Sequence, residues 1–123
     1  MDALKIAALS LVLTSAAVAA DDCTNPAAPN LPDGASSNME QMIAGQKAVK
    51  AFQADNISYM ECLDALITRA EKQTKEGTDD DMIEAQKVYD ESEAAYNAAV
   101  SAEESVADQF NSEVRAYKAA NPK

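Results

Sequence analysis

The chain contains no histidine and no tryptophan, and its three glycines are scattered at positions 34, 45 and 77. Without histidine it lacks the commonest general base near neutral pH and the commonest transition-metal ligand, so most hydrolase and metalloenzyme templates have no starting point. Two cysteines are present, Cys23 and Cys62, but not as C-x-x-C, which disfavours a thioredoxin-like exchange site. Dispersed glycines make no phosphate-binding loop. These absences lead us to expect no enzymatic activity and no cofactor. Aromatics are also few, with two phenylalanines and four tyrosines, and alanine and methionine supply much of the apolar content. That balance favours helices over strands, and we expect an all-α protein.

Charge of one sign dominates: the formal net charge is -11 and the pI is near 4.2. Such a chain repels nucleic acid and anionic membrane surfaces alike, so neither is an expected partner. The excess is uneven. Residues 37–76 hold six carboxylates against five cations, whereas residues 79–119 hold eleven against three. In a helix over 79–119, Asp80, Glu84, Asp90, Glu91, Glu104 and Asp108 fall away from the aromatic positions, as a solvated face or as a dock for a cationic partner.

A long hydrophobic run is missing outside the first twenty residues. There, Lys5 precedes an apolar core from Ile6 to Leu13 and a run of small residues ending at Ala20. The pattern reads as a cleaved signal peptide over residues 1–20, too short for a membrane-spanning helix of about 20 residues. Asp21 and Asp22 separate the small-residue run from Cys23, which disfavours a lipoprotein. Localisation is therefore expected to be periplasmic or secreted, with no transmembrane segment in the mature chain. In such an oxidising compartment Cys23 and Cys62 are expected to pair rather than remain free thiols. Closing a loop of about 40 residues contributes roughly 3 to 4 kcal/mol.

Residues 21–36 hold Pro26, Pro29 and Pro32 and end in Leu31-Pro32-Asp33-Gly34, a proline-rich extended lead-in that runs into a turn. Ser37 and Glu40 have capping-box spacing, which starts a helix over 37–76. Within it Met42, Gly45, Val49, Phe52, Asn56, Tyr59, Leu63, Leu66 and Ala70 recur at alternating steps of three and four, a heptad stripe. Gly77 supplies a left-handed stop and Thr78 caps a second helix over 79–119, leaving a two-residue turn at 77–78. In the second helix Met82, Tyr89, Tyr96, Phe110 and Tyr117 share one seven-residue register, with Ala85, Ala99 and Val106 on its companion.

Two helices of about 60 Å joined by so short a reversal must run antiparallel, as a coiled-coil-like hairpin whose facing residue numbers sum to about 155. That register sets Phe110 over Gly45, Val106 near Val49, Tyr96 near Tyr59, Tyr89 near Leu66 and Ala85 near Ala70. The disulfide then folds the lead-in straight back along the first helix. We expect the lead-in to cover Ile57 and Met60 as a third layer.

Four groups of residues stand out as candidate sites. Asn56 and Glu103 are polar intrusions near one level of the seam, as register-fixing residues or as a small internal ligand site. Asp79, Asp80, Asp81 and Glu84 suggest calcium, but the spacing is not that of an EF-hand loop and carboxylates on a helix diverge. Met39, Met42 and Tyr117 are expected to form an exposed patch where the helix ends meet, the best local candidate for a partner surface. Asp90 and Glu91 on the acidic face are the second partner candidate.

Cys23, Pro26, Pro29, Leu31-Pro32-Asp33-Gly34, then Tyr59-x-x-Cys62, then Phe110-Asn111-x-x-x-Arg115-x-Tyr117-Lys118 together resemble small exported helical proteins of Gram-negative bacteria that have no assigned activity. The resemblance spans nearly the whole mature chain and implies a periplasmic or secreted location. It brings no catalytic residues. The expected function is a non-enzymatic interaction or structural module with an envelope or extracellular protein as partner. The alternative is a small-ligand or cation carrier, which a cavity of roughly 300 Å³ or more would favour. Self-association through a second copy is open as well.

Overall fold

The computed structural model describes residues 23–123, so the expected signal peptide lies outside the described residues. Two helices, α1 (Met39–Glu76) and α2 (Asp79–Ala120), form an antiparallel hairpin. At 38 and 42 residues, they are about 57 and 63 Å long. Cys23 is bonded to Cys62, which ties the extended lead-in to α1.

Both helix starts are capped by side chains. For α1 the box sits one residue later than Ser37 and Glu40. Asn38 Oδ1 accepts from the Gln41 backbone N–H at 2.9 Å, and Gln41 Oε1 accepts from the Asn38 N–H at 2.8 Å. Asparagine and glutamine satisfy the same two orphan donors as serine and glutamate would, so the helix begins at Met39 instead of residue 37. Thr78 caps α2 with its side-chain oxygen. Gly77 is not left-handed, as expected from its position, but extended at φ -87° and ψ 177°. With only two residues between helices, the chain must deliver Thr78 in extended N-cap geometry. Glycine is needed there for closeness, because a Cβ would stand 2.8 Å from the Gln73 carbonyl oxygen.

All nine stripe residues of α1 are buried, from Met42 to Ala70. On α2 the fully buried row is Ala85, Ser92, Ala99 and Val106, while Tyr89, Tyr96, Phe110 and Tyr117 are half-buried beside it. Large side chains on α1 therefore meet small ones on α2, and the aromatics close the seam from one flank. The expected register holds where it can be checked. A Cβ on Gly45 would lie 3.2 Å from Phe110 Cε2, Val49 clusters with Val106, and Tyr59 with Tyr96.

The lead-in lies in one of the two grooves between the helices. From Cys23 at the level of Cys62 it rises to Pro32, which covers Gly45, so it runs antiparallel to α1 and parallel to α2. Leu31 packs onto Val49, Phe52 and Val106. Gly34 is pressed onto α2, where a Cβ would collide with the Glu113 carbonyl, and its N–H donates to Glu113 Oε2 at 2.6 Å. The expected third layer is present, but its position corrects the sequence reading. Ile57 is 49% exposed, because a helix turns about 100° per residue and Ile57 points about 140° away from Cys62. Met60 is half-buried against the Tyr59 and Leu63 cluster.

Candidate functional site

A hairpin has two grooves, and among the described residues only one is occupied. The residues of α1 beside the lead-in include Ala44, Ser58 and Cys62. One step around the helix from Ala44, Ile43 borders the other groove, which no segment among the described residues covers.

This open groove can be built from heptad positions. Its floor alternates between the helices: Gln46 with Phe110, Gln53 with Glu103, Met60 with Tyr96, Ile67 with Tyr89. Its walls repeat every seven residues, about 10.5 Å apart. At successive levels they carry Ile43 and Val114, Lys50 and Ala107, Ile57 and Val100, then Asp64 and Glu93. The aliphatic residues are not hidden: Ile43 is 45% exposed, Ile57 49% and Val100 37%. At the mouth, where α1 starts and α2 ends, the groove widens to about 400 Å³. Met39, Met42, Ile43, Phe110, Val114 and Tyr117 form its apolar lining, with Lys118 and Lys123 at the rim.

The expected patch of Met39, Met42 and Tyr117 thus comes together as part of this mouth. Met39 is 56% exposed, Tyr117 is half-buried, and Met42, only 6% exposed, is the floor and not an exposed residue. Asp90 and Glu91 are exposed but diverge. Asp90, which accepts from Gln86 Nε2 at 2.9 Å, borders the open groove, while Glu91 pairs with Lys87 at 3.9 Å on the other side.

Asn56 is 1% exposed and its Nδ2 donates to the Ala99 carbonyl at 3.0 Å. The helix backbone, not Glu103, receives that hydrogen bond, and Glu103 is half-buried on the groove floor. Ser92, which the sequence pattern does not single out, is the second buried polar side chain among the described residues, at 0% exposure, and its hydroxyl has no hydrogen-bond partner among them. Asn56 thus engages the opposite helix directly within the seam. In the first turn of α2, Thr78 Oγ1 donates to Asp81 Oδ2 at 2.8 Å, so one of the aspartates takes part in capping. Among the described residues no group of three or more histidine, cysteine or acidic side chains is gathered around one point.

Ile43, Val100 and Val114 lie off the heptad seam, so the seam pattern alone does not single them out. The available signal was angular: placing Cys62 on the helical wheel assigns the lead-in to one flank and leaves Ile43 and Ile57 on the other.

No protein-family model matches the chain, and neither a curated protein sequence nor a solved structure shows significant similarity to it.

Proposed function

We propose that the protein is a non-enzymatic exported module, periplasmic or secreted, that uses the open groove to hold another macromolecule. The observation that carries this reading is the asymmetry between the grooves. One is filled by the protein's own tethered segment, whereas the other exposes Met39 and Ile43 together at its mouth and Ile57 and Val100 two heptads farther along. Contiguous exposed apolar surface bordered by polar residues is the usual mark of an interaction site.

Export is supported by the Cys23–Cys62 disulfide and by the signal-like first twenty residues. No described helix is long and apolar enough to cross a membrane. Intact mass of the protein recovered from periplasm and medium checks this part: a chain beginning at Asp21 with both thiols oxidised is expected.

The partner reading is tested by placing a photo-crosslinking residue at 39 or 117 in living cells. A specific adduct with another macromolecule is expected, and no adduct from either position overturns the proposal. The mouth is also large enough for a small apolar ligand. Crosslinks to small molecules only would favour that second reading.

A further inference from the structure

Resting on the open groove as the docking face, we infer that its occupant is an amphipathic helix with one acidic and one basic end, which completes a three-helix bundle. The periodicity of the groove selects a helix. Its apolar wall residues, exposed except for the half-buried Val114, recur with the same spacing on both sides: Ile43 and Ile57 are fourteen residues apart on α1, and Val100 and Val114 fourteen apart on α2. Because the helices are antiparallel and in register, these form two apolar levels about 21 Å apart. A third helix presents apolar side chains at that repeat on a single stripe. An extended peptide alternates its side chains every two residues and matches neither level systematically.

Charge then orders the occupant. Around the mouth the groove is rimmed by Lys118 and Lys123, both exposed. Between the two apolar levels Lys50 and Glu103 approximately offset each other. Beyond the second apolar level the register assigns Asp64 and Glu93 to one level on the two walls, with Glu61 and Asp90 on the adjoining rows, all exposed except for the contact of Asp90 with Gln86. Carboxylates lining both walls of a groove give it a negative potential that favours a cation at that level. The occupant therefore carries carboxylates at the end near Lys118 and a lysine or arginine at the level of Asp64 and Glu93. A second copy of this chain fits less well, because two copies of net charge -11 oppose each other.

The test uses the purified protein and two synthetic helical peptides of about 28 residues, long enough to span all four wall levels. Both carry one apolar heptad stripe and identical composition. In the first, carboxylates fall at the mouth and lysines at the Asp64 level, while in the second the two charged ends are exchanged relative to a staggered apolar stripe that fixes the register. Calorimetry is expected to show at least tenfold tighter binding of the first. Amide shifts should centre on Ile43, Ile57, Val100 and Val114 and spare residues 24–33. The double variant Asp64→Lys, Glu93→Lys, at exposed positions, should remain helical by circular dichroism and abolish the preference. Equal binding of both peptides, binding of neither at millimolar concentration, or shifts centred on the lead-in would overturn the inference. If residue 117 still crosslinks in cells while the peptides show no preference, the docking reading stands and the helical, charge-ordered occupant does not.

Discussion

Asn56 and Ala99 meet across the seam, the side-chain amide of one donating to the backbone carbonyl of the other at 3.0 Å. The bond fixes one level of the hairpin register in a core otherwise held by nondirectional packing. A polar residue at such a position specifies alignment at a cost in stability. Asn56→Leu is expected to raise stability by about 1 kcal/mol, because the Ala99 carbonyl lies inside a helix and retains a backbone partner. Thermal denaturation checks this, and a lower melting temperature would count against register specification.

Ser92 is the other buried polar side chain among the described residues, and its hydroxyl has no partner among them. Ser92→Ala removes that group and improves helix propensity, while the volume lost is small. The expected gain is about 1 kcal/mol, or about 5 °C in melting temperature for a domain of this size. Destabilisation would mean that the hydroxyl is bonded in solution.

Gly45 lies under Pro32, and a Cβ there would stand 2.6 Å from the proline Cδ. Alanine is better than glycine inside a helix by about 1 kcal/mol, but overpacking costs about 1 to 3 kcal/mol. In the oxidised protein the clash should win, and Gly45→Ala should destabilise by about 1 kcal/mol. With Cys62→Ser the lead-in can withdraw, and the same substitution should become neutral or stabilising. Chemical denaturation of the four variants in this cycle reads the sign change.

The carboxylate of Glu113 receives the Gly34 N–H, so Glu113→Ala should loosen the far end of the lead-in at a cost of about 1 to 2 kcal/mol. Hydrogen exchange at the Gly34 amide should accelerate with little change in the α1 seam. Reduction of the disulfide should release the same segment from the other end and uncover Val49, Phe52 and Val106 beneath Leu31, while most helicity remains. Complete loss of helicity would show that the tether holds the hairpin itself.

Much of this architecture is legible before any coordinates. The α1 stripe coincides with its buried residues because large apolar side chains at a strict three–four spacing have one way to be covered. The antiparallel register follows from the two-residue reversal. On α2 the reading is harder, since two adjacent rows both repeat every seven residues. Which one occupies the centre is decided by α1, whose bulky Phe52, Tyr59, Leu63 and Leu66 require small residues opposite. The aromatics are therefore moved to the flank and become the floor of the groove. The capping shift from Ser37 to Asn38 is of another kind, because both pairs satisfy the same orphan donors and local sequence cannot rank them. The candidate site was half visible: Met39 and Tyr117 mark its mouth, but its extension along Ile43, Ile57 and Val100 needs the lead-in to be assigned to the opposite groove.

The two grooves make a claim that neighbouring residues can decide. Positions 43 and 57 border the open groove, whereas 44 and 58, each one residue later, border the groove that holds the lead-in. A photo-crosslinker placed in turn at these four positions in living cells, with adducts resolved by mass spectrometry, measures which groove faces a partner. Specific adducts from 43 and 57 and none from 44 and 58 are expected. Adducts of equal yield from all four, or from 44 and 58 alone, would contradict the account.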